Sequence, residues 1–300
     1  MKRLFINTLL ITLISMTTSS VWAEKRISIT GCGISKKAYL KAALTAFEEK
    51  TGVKSQLSGG GATKGLQLAH AGRVDLGASC RQRLSDVGGN IHEKETDIRL
   101  IHVGWDAIVV IANKVQKVDN ISTEQLKSVF SGKLSNWKPL GGDNVRISVL
   151  TRKGVTSGVG YMARLLVFGD PNYTFSYTGK MYRSTGPLEK AVNHIEGALA
   201  FDGISSAKKS DIKMLAIDGY EPTKEHISAG DYPFFRPLYL AINKNNKTDY
   251  VKDFVDFILS DEGQKIISDE GTVNLKEGTA LKDKWNTKAA AMGGIWQDSI

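Results

Sequence analysis

The chain has 300 residues, 41% of them hydrophobic and 24% charged, an ordinary balance for a soluble globular protein. Thirty glycines and six prolines exclude collagen-like and low-complexity character, and 32.7 kDa is enough chain for two cores of typical size. Forty basic against 31 acidic residues give a net charge of +9, which raises a nucleic-acid reading.

The amino terminus changes that reading. Lys2 and Arg3 precede an apolar stretch from Leu4 to Met16 and a small-residue zone ending Val21-Trp22-Ala23. This is the form of a secretory signal, too short in its apolar core to span a membrane. Cleavage is expected after Ala23, leaving 38 basic and 31 acidic residues, a net of +7 without a clustered basic stripe. Ile29-Thr30-Gly31-Cys32 is like a lipoprotein cleavage box, but Glu24, Lys25 and Arg26 separate it from the apolar core, so a free secreted protein is expected. In an oxidising compartment two cysteines, Cys32 and Cys80, read first as a disulfide; a soft-ligand site using both thiols stays open. The five histidines have no ligand spacing, so no metal or cofactor is expected.

Along the chain, Arg26 to Thr30 reads as a short strand and Lys36 to Lys50 as a helix with Leu40, Ala43, Leu44 and Phe47 on one face. Val53 to Leu57 is a second strand, Thr63 to Ala71 a second helix and Val74 to Ala78 a third strand. Strands alternating with helices imply a parallel sheet with right-handed crossovers. Strands are then expected at Ala107 to Ala112, Ile147 to Leu150, Met214 to Ile217 and Pro237 to Ile242. Helices are expected at Ser122 to Phe130, Ser157 to Phe168 and, strongly amphipathic, Tyr250 to Ser268. No repeat or flexible linker appears, so two α/β units joined by short crossings are expected. The units are 24–110 plus 236–281, and 111–235, with a tail from 282 to 300 carrying Trp285 and Trp296. Phe47 and Trp137 read as core.

Three polar loops each open a helix: Gly31–Lys36, Gly59–Lys64 and Arg152–Gly158. Helix starts expose unpaired N–H groups and a partial positive charge, which suits an anion. Ser35, Thr63, Thr156 and Ser157 add hydroxyls, and Arg152 a planar fork of donors. A single such loop is only a cap. Three together, spread over two units, point to an anion held between them.

Ile121-Ser122-Thr123-Glu124-Gln125-Leu126, Phe130-Ser131-Gly132-Lys133 and Asn136-Trp137 resemble a characteristic segment of the phosphate-binding proteins of bacterial phosphate ABC transporters. Ala216-Ile217-Asp218-Gly219, Tyr232-Pro233, Arg236-Pro237-Leu238-Tyr239 and Leu259-Ser260 to Gly263-Gln264 resemble that family too, so the likeness runs to about Leu275. It implies a two-lobe type II periplasmic binding protein fold. Each lobe is then a mostly parallel sheet flanked by helices, with a ligand cleft between lobes.

The resemblance implies an anion site drawn from Ser35, Lys36, Thr63, Ser79, Arg81, Asp106, Arg152, Thr156, Ser157 and Gly158. The match departs from the family at Lys36, at Ala62 in place of a serine, and at Cys80, where some members carry aspartate. A carboxylate facing the ligand accepts a proton-bearing oxygen and so selects phosphate over sulfate. Asp106 matches an aspartate of one family branch and either does this or pairs with an arginine at the lobe crossing. The resemblance also brings Cys32 and Cys80 to neighbouring strand ends beside the site.

The expected function is a periplasmic, monomeric solute-binding protein that captures an oxyanion, phosphate first, and delivers it to a membrane ABC permease. No nucleic acid is expected as a partner. A receptor for a softer oxyanion using Cys32 and Cys80, a secreted phosphatase, and a scaffold that has lost its ligand remain as alternatives. No catalytic constellation can be assembled from local motifs, so no enzyme is expected.

Overall fold

The structure is a computed structural model that describes residues 24–86, 88–176 and 180–291. The expected leader at 1–23 and the last residues of the expected tail, with Trp296, lie outside the described residues.

The chain opens with β1 (Arg26–Gly31), then α1 (Gly33–Ser35), which passes through a π-helical turn at Lys36–Leu40 into α2 (Lys41–Thr51). This helical run starts three residues earlier than its apolar face announces, because Cys32 in extended backbone serves as its cap. β2 (Lys54–Ser58), α3 (Ala62–His70) and β3 (Leu76–Ser79) complete the first unit. β4 (Ile98–Ala112), β5 (Asn120–Ile121), α4 (Thr123–Phe130), β6 (Ser148–Arg152) and α5 (Gly158–Phe168) follow. Next come β7 (Met181–Tyr182), α6 (Thr185–His194), β8 (Ala198–Gly203), α7 (Ile204–Ala207), β9 (Lys213–Ile217) and α8 (Lys224–Ala229). The chain returns through β10 (Phe235–Asn243) and ends in α9 (Asp249–Leu259), α10 (Asp261–Asp269) and α11 (Thr279–Ala291).

The strands run in the order β2-β1-β3-β10-β4-β8-β6-β7, with β9 pairing both β4 and β5. As the strand-helix alternation demands, β1 is parallel to β2 and β3. β4 carries the architecture. Its first part pairs antiparallel with β10 as far as Ala107, and from Ile108 onward it pairs with β8 and β9. One strand thus belongs to two sheet halves, and each half keeps its own helices.

β4 is nine residues longer than the apolar run Ala107 to Ala112. Arg99, His102 and Gly104 hide the earlier part from a hydrophobicity reading, and pairing with β10 makes it strand. The amphipathic stretch from Tyr250 to Ser268 is two helices rather than one. Ser260 stands between them in extended backbone, and its hydroxyl caps α10 by accepting from the Gly263 amide at 3.3 Å. Gly263 allows the corner, since a Cβ there would stand 2.1 Å from the Phe257 carbonyl oxygen.

Phe47 packs on Phe254 with centroids 5.2 Å apart, and Trp137 is fully buried with its Nε1 donating to the Gly197 carbonyl at 3.1 Å. The stretch expected as a tail from residue 282 instead continues α11. Leu281 and Trp285 of that helix are buried, and the Trp285 ring meets Trp105 and Phe235 at 6.3 and 6.2 Å. A lone Trp in a polar helix carries no periodicity, so its docking was not visible beforehand. Replacing Trp285 with Ala is expected to cost about 3–5 kcal/mol, read as a lowered denaturant midpoint with an unchanged slope.

Candidate functional site

Four helix starts converge where the two sheet halves meet. They contribute Cys32 and Gly33 at α1, Gly60 to Thr63 at α3, Thr156 to Val159 at α5, and Arg183 and Thr185 at α6. With Arg152 and Lys153 at the end of β6 they enclose a cleft of about 160 Å³, room for a small anion. The first N–H groups of each helix have no partner within the helix, and each helix start carries the positive end of its peptide dipoles. No carboxylate lines the cleft among the described residues.

Of the two arginines that line the cleft among the described residues, Arg183 is exposed and Arg152 is the buried one. It is 8% exposed; Nη1 donates to the Thr185 hydroxyl at 3.2 Å and Nη2 to the Arg183 carbonyl at 3.1 Å. Its Nε has no partner, and no carboxylate forms an ion pair with it among the described residues. Burial lowers its pKa, with Asp202 and Glu189 pulling the other way. The hydroxyls beside it are oriented. Ser157 Oγ accepts from the Gly160 amide at 3.1 Å and Thr185 Oγ1 from Arg152, which leaves both hydroxyl protons for a bound acceptor.

The other expected residues divide into two groups. Thr63, Arg152, Thr156, Ser157 and Gly158 line the cleft; Ser35, Lys36, Ser79, Arg81 and Asp106 do not. Ser35 and Ser79 are fully buried beneath it, and the Ser79 hydroxyl donates to the Arg81 carbonyl at 2.6 Å. Arg81 is fully buried and gripped by both Glu95 oxygens, at 2.7 and 3.0 Å. Asp106 takes the second of the roles left open for it. Its carboxylate pairs with buried Arg236, Nη2 at 2.7 Å and Nε at 3.1 Å, and accepts from the Ser205 hydroxyl at 2.7 Å.

The Thr156 carbonyl joins the halves across the cleft, and the Gly158 carbonyl accepts from Arg236 Nη1 at 3.3 Å. Thr156 O accepts from Thr63 Oγ1 at 2.7 Å and from Arg81 Nε at 3.0 Å. The single Thr63 proton is therefore committed to the clamp. Below it, Cys32 and Cys80 form a disulfide with Cα atoms 6.2 Å apart. That pairing removes the thiol-lined pocket: neither sulfur is free. Gly158 rests on the bridge, for a Cβ there would stand 2.5 Å from Cys80 Sγ and 3.1 Å from the Ala62 Cβ.

Arg183, Thr185 and Lys153 were missed by the sequence reading. Ser184-Thr185-Gly186-Pro187 is a fourth hydroxyl-and-glycine helix start, with proline tolerated in the first turn, and could have been flagged as the other three were.

A family profile described as the PBP superfamily domain matches residues 18–262. Phosphate-binding protein PstS of Bacillus subtilis is 26% identical over 264 residues, covering 87% of this chain and 84% of that protein. A phosphate-bound structure from Clostridium perfringens, classed among phosphate ABC transporter substrate-binding proteins, superposes with a TM-score of 0.74 at 25% identity, covering 83% of this chain and 99% of that one. An ABC-type phosphate transport receptor from Vibrio cholerae shares the fold, with a TM-score of 0.63 at 23% identity over 83% of this chain and all of that one.

Gly158→Ala is expected to wedge the start of α5 off the disulfide, costing about 1–3 kcal/mol in a denaturant melt. Removing the bridge as Cys32→Ala with Cys80→Ala is expected to cost up to about 4 kcal/mol, given a sequence separation of 48. Reducing agent should then no longer shift the melting temperature of the double variant.

Proposed function

Since this chain belongs to the PBP superfamily and has the type II periplasmic binding protein fold, we propose that it captures inorganic phosphate between its two halves and hands it to an ABC permease. The observation that carries this reading is the buried Arg152, without a carboxylate partner and surrounded by four helix starts. Such a site is rich in donors and lined by no carboxylate among the described residues, which suits an acceptor-rich tetrahedral anion. The B. subtilis relative is a phosphate-binding protein, and the C. perfringens structure holds phosphate, which puts phosphate first.

The proposed ligand contacts are Arg152, Ser157 and Thr185 side chains with the amides of Gly33, Ala62, Gly158 and Val159. Residues 24–107 with 235–291 form one lobe in this reading, and 108–234 the other, hinged where β4 and β10 cross. Thr63, Arg81 and Thr156 then clamp the closed form. The protein is exported as a monomer and its role is binding, without turnover. The lobe surfaces outside the cleft meet the permease.

A second ligand class is favoured by one observation. With no carboxylate at the cleft, nothing ionised receives the proton of monohydrogen phosphate. Sulfate and other fully ionised tetrahedral dianions are therefore expected to compete with phosphate within about tenfold, or 1.4 kcal/mol.

Thermal melts of phosphate-stripped protein test both statements. Phosphate at about a hundred times its Kd should stabilise by about 2.7 kcal/mol, and sulfate should shift the melt comparably. Arg152→Ala should lose most of the shift. An unchanged melt in millimolar phosphate refutes the phosphate reading; a sulfate response over a hundredfold weaker refutes the unselective cleft.

A further inference from the structure

One buried group near the cleft has no role in the site as described. Asp202, near the end of β8, is completely buried, and neither carboxylate oxygen makes a hydrogen bond to a described donor that meets normal geometry. β8 lies beside β6 in parallel, with Leu150 opposite Ala200, so Arg152 and Asp202 sit two residues further along the same face of the sheet. An ionised Asp202 would be the natural partner of the Arg152 guanidinium.

The groups around it decide otherwise. Facing Asp202 are the Glu189 carboxyl from α6, the Arg152 guanidinium from β6 and the Gly203 amide of its own strand. Beside Gly203, Arg236 of β10 and Asp106 of β4 neutralise one another. Glu189 is itself buried and firmly held. It accepts from Ser206 Oγ of α7 at 2.5 Å and from Lys37 Nζ, on the π-helical turn, at 3.1 Å. Two carboxyls in contact in a dry interior cannot both ionise. Burial, reinforced by the Glu189 charge, holds Asp202 well above the usual carboxylate range, and Arg152 opposes this without prevailing. Glu189 goes the other way: burial would raise it, but the hydrogen bonds from Ser206, Asp202 and Lys37 keep it low.

Building on the reading of the cleft as an anion seat, we propose that Glu189 keeps Asp202 as a neutral carboxylic acid and so leaves the charge of Arg152 to the bound anion. Asp202 and Glu189 are positioning residues for a charge, since neither lines the cleft. The pair carries one negative charge shared with one proton, and its location matters. On Glu189 it is compensated by Lys37; on Asp202 it falls on Arg152, which senses Asp202 more strongly than Glu189. Moving that charge across the pair lowers anion affinity without touching the cleft wall.

A double-mutant cycle with inorganic phosphate tests this. Glu189→Gln removes the neighbour that suppresses ionisation and offers an amide donor to the Asp202 carboxylate. Affinity should fall about tenfold or more. Adding Asp202→Asn, which cannot ionise, should bring affinity back to within about threefold of wild type. The wild-type Kd should also weaken as rising pH ionises Asp202, whereas Asp202→Asn should hold a flatter profile. A merely structural pair would give additive losses in the double variant and no rescue, which overturns the proposal, as does a wild-type affinity in Glu189→Gln.

Infrared spectroscopy reads the proton independently of binding and of whether Glu189→Gln folds. The carbonyl stretch of a protonated buried carboxyl should be present in wild type at neutral pH and missing from Asp202→Asn. If that band is absent from wild type, the inference fails even though phosphate binds. If the band is present but wild type binds no phosphate, the reading of the cleft fails instead, and the link to anion affinity falls with it.

Discussion

A buried guanidinium must have its charge answered, because desolvating it alone costs several kcal/mol. The arrangement around the cleft follows from how three arginines meet that demand. Arg81 is answered by Glu95 and Arg236 by Asp106, each pair fully buried and each carboxylate accepting further hydrogen bonds. These two arginines act as struts. Among the described residues Arg152 is held by a hydroxyl and a carbonyl, and burial beside Glu189 raises the pKa of the carboxyl best placed to answer it, Asp202. The compensation it lacks is the compensation an anion brings.

The struts also fix how the two halves approach. Arg81 reaches from the loop after β3 to the Thr156 carbonyl before α5, joined there by Thr63 from α3. The same loop carries Cys80, whose sulfur supports Gly158 at the start of α5. One short segment, Ser79 to Arg81, therefore ends a strand, closes the disulfide, anchors the clamp and sets the floor under a helix start that lines the cleft. Side chains that a family likeness would place on the ligand are here one layer back, buried behind the residues that line the cleft. A donor array of this kind works only when its geometry is held by something rigid, and buried ion pairs with a disulfide supply that rigidity.

Much of this was legible in the residues. The alternation of short strands with helices, each strand ending in a glycine or serine turn, called for a parallel sheet with its loops gathered at one end, as β2-β1-β3 has. Gly59 to Lys64 and Thr156 to Gly158 were recognisable as helix starts by composition alone, and both border the cleft. The full length of β4 was not legible. Its first part contains Arg99, His102 and Gly104, and only hydrogen bonds to a strand more than a hundred residues later make it extended. Nor was the break at Ser260, since an apolar stripe of the right period runs through both helices and only the packing of Gly263 against α9 bends the chain.

What the sequence by itself determined was the local chemistry: where helices start, which loops carry donors, that Cys32 and Cys80 read first as a disulfide, and that a small anion suits the result. These follow from propensities acting over a few residues. Only the tertiary structure decided which charged groups are spent on one another. Asp106 lies 130 residues from Arg236, and Arg152 50 residues from Asp202. No periodicity encodes such a pairing, because the energy of a buried charge depends on its neighbours in space and on the water excluded around them. The sequence offered both Arg81 and Arg152 as candidates to meet an anion, but only the fold could show that Arg81, like Arg236, is spent on a carboxylate while Arg152 is held by a hydroxyl and a carbonyl.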